Sequence, residues 1–256
     1  QSSKVSELRV PSERITRELS RGVNTGGGGA SNSQAFSFKP NFCLNNNAGG
    51  DGLLSYRKSG FVKISINLNR KGNFFFGSGN TATQNYGLND LKIRYMLAED
   101  DGSDSQNVLR TVHTIKNSLN SNNANISAKV PAVCSGVSIS FQKQSNENNL
   151  EVNNLLLERM PQISAVNYMF NDTNKYITYT LRNEEEYLDN ALQALRLSGV
   201  SGVSQAKLKA DDSFLLGTRF NGLVDLSQTN FNLDIKSSLG GVAYIAYQVF
   251  YSQQVV

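Results

Sequence analysis

The sequence predicts an all-β fold of antiparallel sandwiches or barrels. Three observations carry this. Short runs alternate apolar and polar residues with period two. Clusters rich in Gly, Asn, Asp and Ser separate those runs. Only two stretches in the body carry helical spacing. The 256 residues suffice for one large core or two small ones.

The chain opens on an arm, residues 1–33, unlike the rest. Pro11 to Arg21 reads as a short amphipathic helix. Pro11 suits a first turn, Glu13 lies near the positive end of the helix dipole and Arg21 near the negative end. Ile15 and Leu19, spaced i,i+4, form a thin apolar stripe flanked by Arg14 and Arg17. Gly22 stops the helix, and Gly26 to Gly29 form a flexible tether. So thin a stripe does not bury itself, so Arg14, Ile15, Arg17, Leu19 and Arg21 are expected to dock on the body or on a neighbour.

From Gln34 onward alternation dominates. Phe36–Lys39, Phe61–Leu68, Leu91–Leu97, Val137–Phe141, Ile177–Leu181 and Phe231–Ile235 all alternate. Val62, Ile64, Ile66 and Leu68 share one face of the second run. Val242–Tyr251 is longer and apolar on both faces, as a fully buried strand is. Two helices interrupt the strands. Asn149–Arg159 carries Leu150, Val152 and Leu155–Leu157 before Pro161. The second runs over 184–197. Asn183 and Glu186 have capping-box spacing, Glu184–Glu186 favour the first turn, and Leu188, Ala191, Leu192 and Leu195 form its stripe.

A faint repeat runs through the body. Asn125–Lys129 is followed by Ile139–Gln142, and Asn232–Lys236 by Ile245–Gln248. It predicts two units, a first barrel over 34–150 and a second over 151–256, with the boundary between Ser145 and Pro161. Each then has an ordinary domain size.

Composition excludes several classes. Charged residues are only 18% and apolar residues 39%, while 31 of the 256 residues are Asn. That is neither a charge-rich disordered chain nor a coiled coil. No apolar run approaches the roughly 20 residues of a membrane-spanning helix, and Gln1–Val10 has no signal-peptide core. The net charge of +4 is spread along the chain, and the arm carries a net of +2 (five Lys and Arg against three Glu). Nucleic-acid-coating proteins concentrate charge more than this.

Catalysis finds no foothold. His113 is the lone histidine, and no G-x-S-x-G or H-E-x-x-H is present. Cys43 and Cys134 sit among apolar residues and read as buried thiols. With one His they do not complete a zinc site. The acidic runs Glu99–Asp104 and Asp211–Asp212 read as solvated turns. The first lacks the terminal Glu of a calcium loop. Phe74–Phe76, in a Gly- and Asn-rich loop, is either core or interface. Asn125 and Asn171 open glycosylation sequons. No catalytic residue, metal or cofactor is expected.

Ile163–Asp172, Tyr176–Leu181 and the Glu-led helix resemble the opening of a jelly roll in viral major capsid proteins. Phe214–Ser227, Phe231–Ile235 and Tyr244–Tyr251 are similar to the closing strands of the double jelly-roll capsid proteins of membrane-containing bacterial viruses. The resemblance covers about 160–256 and is one of pattern. It implies two jelly-roll barrels per subunit, a pseudo-hexameric homotrimer in an icosahedral shell, and an arm that clips neighbours or faces an internal membrane. The partners implied are the chain itself, neighbouring capsomers, an internal membrane or other capsid proteins, with no sequence-specific nucleic acid. The family has no catalytic residues to carry over. Alternatives are a single jelly-roll capsid or penton subunit, a lectin-like receptor-binding module of a spike or fibre, and a β-sandwich enzyme on polysaccharide.

Overall fold

The computed structural model describes residues 63–66, 87–93, 108–149, 151–152, 158–171, 174–175, 180–197, 203–210 and 213–255. These residues are mostly β-sheet with few helices. Their strands are β1 (Val108–Leu119), β2 (Asn123–Ala128), β3 (Val133–Lys143), β4 (Ile163–Phe170), β5 (Asn174–Lys175), β6 (Leu216–Asp225), β7 (Phe231–Ser237) and β8 (Tyr244–Val255). Helices α1 (Glu184–Leu197) and α2 (Gln205–Leu208) lie between β5 and β6.

The strands form two four-stranded sheets, in the orders β1-β8-β3-β6 and β2-β7-β4-β5. The pairs nest. β1 lies antiparallel to β8, β2 to β7, β3 to β6 and β4 to β5. One long antiparallel ribbon, 108–170 folded back on 174–255, has been rolled into two layers. That is the jelly-roll order.

The expected division near residue 150 is therefore corrected. β1–β3 precede it, β4–β8 follow it, and each sheet contains strands from both sides. The repeat that motivated the division has another meaning. Its two copies pair with each other. Ile126 lies opposite Leu233, Ile139 opposite Gln248 and Gln142 opposite Ile245. Equivalent segments meet antiparallel about a local two-fold axis within one sandwich. The rest of the first expected barrel lies outside the described residues, except 63–66 and 87–93. Those segments carry no strand, and Ile64, Ile66, Leu91 and Ile93 are exposed.

The core lies between the sheets. Ile126, Val166, Tyr168, Phe231, Leu233 and Ile235 from one sheet meet Val137, Ile139, Phe141, Leu216, Phe220 and Phe250 from the other. Phe231 is central. Its ring stacks on Tyr168 and meets Phe170, Phe220 and Phe250, with centroids 5.6–6.1 Å away. Such pairs contribute about 0.5–1.5 kcal/mol each beyond burial. Gln248 also points into this layer, between Ile115 and Ile139, and neither of its amide atoms has a partner.

Helix α1 covers the opposite face of β3 and β6. It spans the expected 184–197, with Tyr187, Leu188, Ala191, Ala194 and Leu195 buried. Glu186 accepts from the Asn183 N–H at 3.4 Å and the Arg182 N–H at 3.1 Å, the carboxylate half of a capping box. This cover explains why alternation misjudged β3: Ser138, Ser140 and Gln142, on the polar face, are buried as well. The expected helix 149–159 is not found in its described residues. Asn149, Glu151, Val152, Glu158 and Arg159 form turns and coil, and the Glu158 N–H donates to the Phe141 carbonyl. Pairing with the end of β3 replaces the helical bond.

Two glycines set the distance of α1 from the sheet. A Cβ at Gly217 would lie 2.5 Å from the Val137 carbonyl and 3.1 Å from Ala194 Cβ; one at Gly136 would lie 2.5 Å from Leu197 Cδ1. Gly217→Ala should therefore push α1 or β3 away and cost about 1–3 kcal/mol. In scanning calorimetry the midpoint should fall by about 2–12 °C. Gly87→Ala, with nothing within 4 Å, should leave it unchanged.

Candidate assembly surface

The structure sorts the sequence-derived candidates. The arm residues Arg14, Ile15, Arg17, Leu19 and Arg21 lie outside the described residues. So do Cys43, Phe74–Phe76, the acidic run 99–104 and Asp211–Asp212. Among the described residues, no three His, Cys, Asp or Glu side chains gather as metal ligands. No described helix is long and apolar enough to cross a membrane. His113 sits half-buried in β1 on the inward side, opposite Phe250. Asn125 is exposed on β2, and Asn171 is exposed in the turn after β4.

Turns gather at the two ends of the sandwich. At one end, Ser237 N–H and Leu239 N–H donate to the Asn122 carbonyl and Oδ1, and Gln144 N–H donates to the Ala243 carbonyl. This ties the β1–β2 turn, the end of β3 and the β7–β8 turn together. Gly240 and Gly241 in that last turn take positive φ of 59° and 82°, which glycine adopts freely. Val242 beside them is exposed. At the other end, Leu226 exchanges backbone hydrogen bonds with Val130 and Ala132, and Asn171 donates its N–H to the Asn230 carbonyl while its Oδ1 accepts from the Asn230 N–H. There β6 leaves its ladder: Gly136 pairs with Arg219 but Cys134 with Val224. The intervening excursion carries Leu223, 58% exposed. Sequence alternation does not reveal it, because a bulge changes the count of residues and not their type.

The flank near α1 is held by charge. Arg159 pairs with Glu184, donates to the Lys209 carbonyl at 2.6 Å, and lies 5.3 Å from the Phe214 ring centroid. Lys209 Nζ reaches Glu185 at 2.9 Å. Among the described residues, β1 is an outermost strand of the sheet β1-β8-β3-β6. Residues 111–118 alternate half-buried and exposed, with Thr111, His113, Ile115 and Asn117 inward and Val112, Thr114, Lys116 and Ser118 outward. Lys116 pairs with Glu147 across this edge.

The buried ionisable groups are built to stay neutral. Burial, with the nearby Asp225 carboxylate adding to it, pushes the Cys134 thiol up to about 12. That matches the expected inert thiol, and its Sγ faces the Ala132 carbonyl. Burial, with Glu147 adding to it, pushes the Tyr247 hydroxyl up to about 12; it donates to Gln142 Oε1 at 3.1 Å. Burial also raises Tyr168, whose hydroxyl accepts from the Gly217 N–H at 3.1 Å.

These acids have raised folded values, so above the unfolded values of about 8.5 for Cys and 10 for Tyr the unfolded chain releases protons that the folded chain keeps. Stability is full below pH ~8.5 and falls as pH rises toward 12. Urea midpoints measured from pH 7 to 11.5 should decline above pH ~8.5. Tyr247→Phe should make the fall above pH ~10 shallower. An unchanged slope in that variant would place the alkaline transition elsewhere.

No family description matches the chain, and no curated protein is similar to it. Among solved structures it is similar to the major capsid protein P2 of bacteriophage PM2, at 15% identity and a TM-score of 0.34. That match covers 58% of this chain and 45% of the PM2 protein, so it spans less than half of that protein's length. It is also similar to a chain from the acid-stable capsid of Helicobacter pylori bacteriophage KHP30, at 12% identity and a TM-score of 0.28. Here 58% of this chain and 96% of the other are covered.

Proposed function

We propose that this chain is a structural subunit of a virion shell, acting by self-assembly and without catalysis. The observation that carries the reading is the strand order itself. Four nested antiparallel pairs close two sheets into one jelly-roll sandwich, an architecture used by capsid and lectin domains. The step from fold to role is an analogy. Three features on this chain support it. Turns tie off both ends of the sandwich by hydrogen bonds, Leu223 stands exposed at one of those ends, and the sequence places a tethered arm before the body. Capsid subunits need rigid bodies with lateral contact surfaces and a second attachment for avidity.

The subunit form is a single sandwich over 108–255, in place of a barrel on each side of residue 150. A homotrimer, an icosahedral shell and contact with an internal membrane or other capsid proteins belong to this proposal as assembly states. The arm residues Arg14, Ile15, Arg17, Leu19 and Arg21 serve neighbour contact. A lectin-like module of a spike or fibre is the competing reading for the same fold.

The test is assembly. Purified chain, followed by light scattering and negative-stain electron microscopy as concentration and salt are raised, should form trimers or larger capsomers and then closed particles. Deleting residues 1–24 should leave the unfolding midpoint within about 3 °C and abolish particles. A chain that stays monomeric under all conditions and binds a glycan array would replace the shell reading with the lectin one.

A further inference from the structure

Of the 31 asparagines in the sequence, Asn221 is the one followed by glycine. That pair carries its own chemistry. The main-chain nitrogen of the next residue can attack an asparagine Cγ and close a succinimide ring. Glycine favours the step twice: it has no Cβ to crowd the nitrogen, and its backbone bends freely to the ring geometry. Regular strand pairing opposes the step, because it holds the backbone extended and engages its N–H groups.

The structure places Asn221–Gly222 where that pairing gives way. β3 pairs with β6 at Gly136–Arg219 and next at Cys134–Val224, so the four residues Phe220–Leu223 oppose Ser135. Such a surplus bends a strand out of its ladder. Asn221, Gly222 and Leu223 are exposed, so water reaches the side-chain amide and the ring it would form. Two nearby asparagines are held differently. Asn230 precedes bulky Phe231 and has its N–H and carbonyl bonded to Asn171. Asn232 precedes Leu233 and is buried in β7, in register with Ser127 and Met169.

We infer that Asn221–Gly222 is a self-modifying site, where the folded chain converts an amide to a carboxylate without an enzyme. The Gly222 nitrogen gives its proton to the solvent and forms a bond to Asn221 Cγ. The Cγ–Nδ2 bond breaks and ammonia leaves. Water then opens the ring at either carbonyl. Breaking the new bond gives aspartate, and breaking the original peptide bond gives isoaspartate. One water is consumed and one ammonia released, and nothing is oxidised or reduced. The new carboxyl passes its proton to ammonia, so each conversion takes the formal net charge from +4 to +3.

The consequence is local. The carboxylate stands two residues from exposed Leu223 and four from Asp225, at the end of the sandwich tied by Leu226, Val130 and Ala132. Isoaspartate lengthens the main chain by a methylene. The excursion absorbs it, since β6 there already carries more backbone than β3 spans. That end of the sandwich turns acidic with age while the core keeps its packing. The inference rests on the dipeptide and the ladder, and is independent of the shell reading.

The full chain tests it. Wild type and Asn221→Gln are held folded at pH ~8, then cleaved after Lys and Arg. The fragment Phe220–Lys236 carries Asn221, Asn230 and Asn232, so two internal standards accompany the site. Tandem mass spectrometry should show acid at 221 accumulating at least roughly tenfold faster than at Asn230 or Asn232, with isoaspartate among the products. Isoelectric focusing should show a new band one charge more acidic. Asn221→Gln, whose longer side chain cyclises far more slowly, should lose that band and keep the wild-type unfolding midpoint. Converted wild type should keep its midpoint within about 3 °C. Acid at 221 accumulating no faster than at Asn230 overturns the inference. Conversion in urea but not in the folded chain does the same, because the fold then shields the pair. An acidic band undiminished in Asn221→Gln also overturns it, placing the change at another residue. A larger fall in the midpoint of converted wild type overturns the absorbing role of the excursion.

Discussion

The closure of two sheets around Phe231 is the constraint on which the rest of the structure depends. Phe231 stands on β7 and touches rings from β4, β6 and β8. Those strands come from both sheets and from widely separated stretches of chain. Burying one such ring contributes about 1.5–3 kcal/mol, and the ring pairs add to it. The Tyr168 hydroxyl then reaches the Gly217 N–H of the opposite sheet. A buried donor and a buried acceptor are satisfied together where either alone would be costly. With the sheets so joined, β1 and β2 are carried to their places by β8 and β7, and α1 has a surface to lie on.

The same closure explains which parts were legible in the sequence. Helix α1 was legible to the residue, because its caps, charges and stripe agree. β7 and β8 were legible because Phe231–Ile235 alternates and Tyr244–Tyr251 is apolar on both faces. β1 was less so. It is an edge whose inward positions include Thr111, His113 and Asn117, so its hydropathy barely alternates. β3 was legible as a strand but not as a doubly buried one, since Ser138, Ser140 and Gln142 look like a solvent face. They are covered instead by tertiary packing, and Tyr251 donates its hydroxyl proton to Ser138 Oγ at 2.8 Å.

The repeat lies within one sandwich, where its two copies pair with each other. Asn125–Lys129 and Asn232–Lys236 do resemble each other, as do Ile139–Gln142 and Ile245–Gln248. Equivalent sequences stack as separate units in a tandem array, whereas in a rolled ribbon they face each other across a two-fold axis. Residue spacing alone does not separate those arrangements. The pairing of Ile126 with Leu233 does. The buried thiol of Cys134 was legible in its apolar neighbours. The geometry of the candidate surface was not. The position of β1 beside β8 and the exposed Leu223 follow from strand order and a bulge, neither of which residue types encode.

One sandwich, and not a pair divided near residue 150, organises the described residues 108–255. Expressing residues 151–256 alone tests it most directly, because that fragment contains β4–β8 and lacks β1–β3. The fragment should lack near-ultraviolet circular dichroism and cooperative unfolding, while residues 108–256 show both. A 151–256 fragment that unfolds cooperatively, with the midpoint of the full chain, would contradict it.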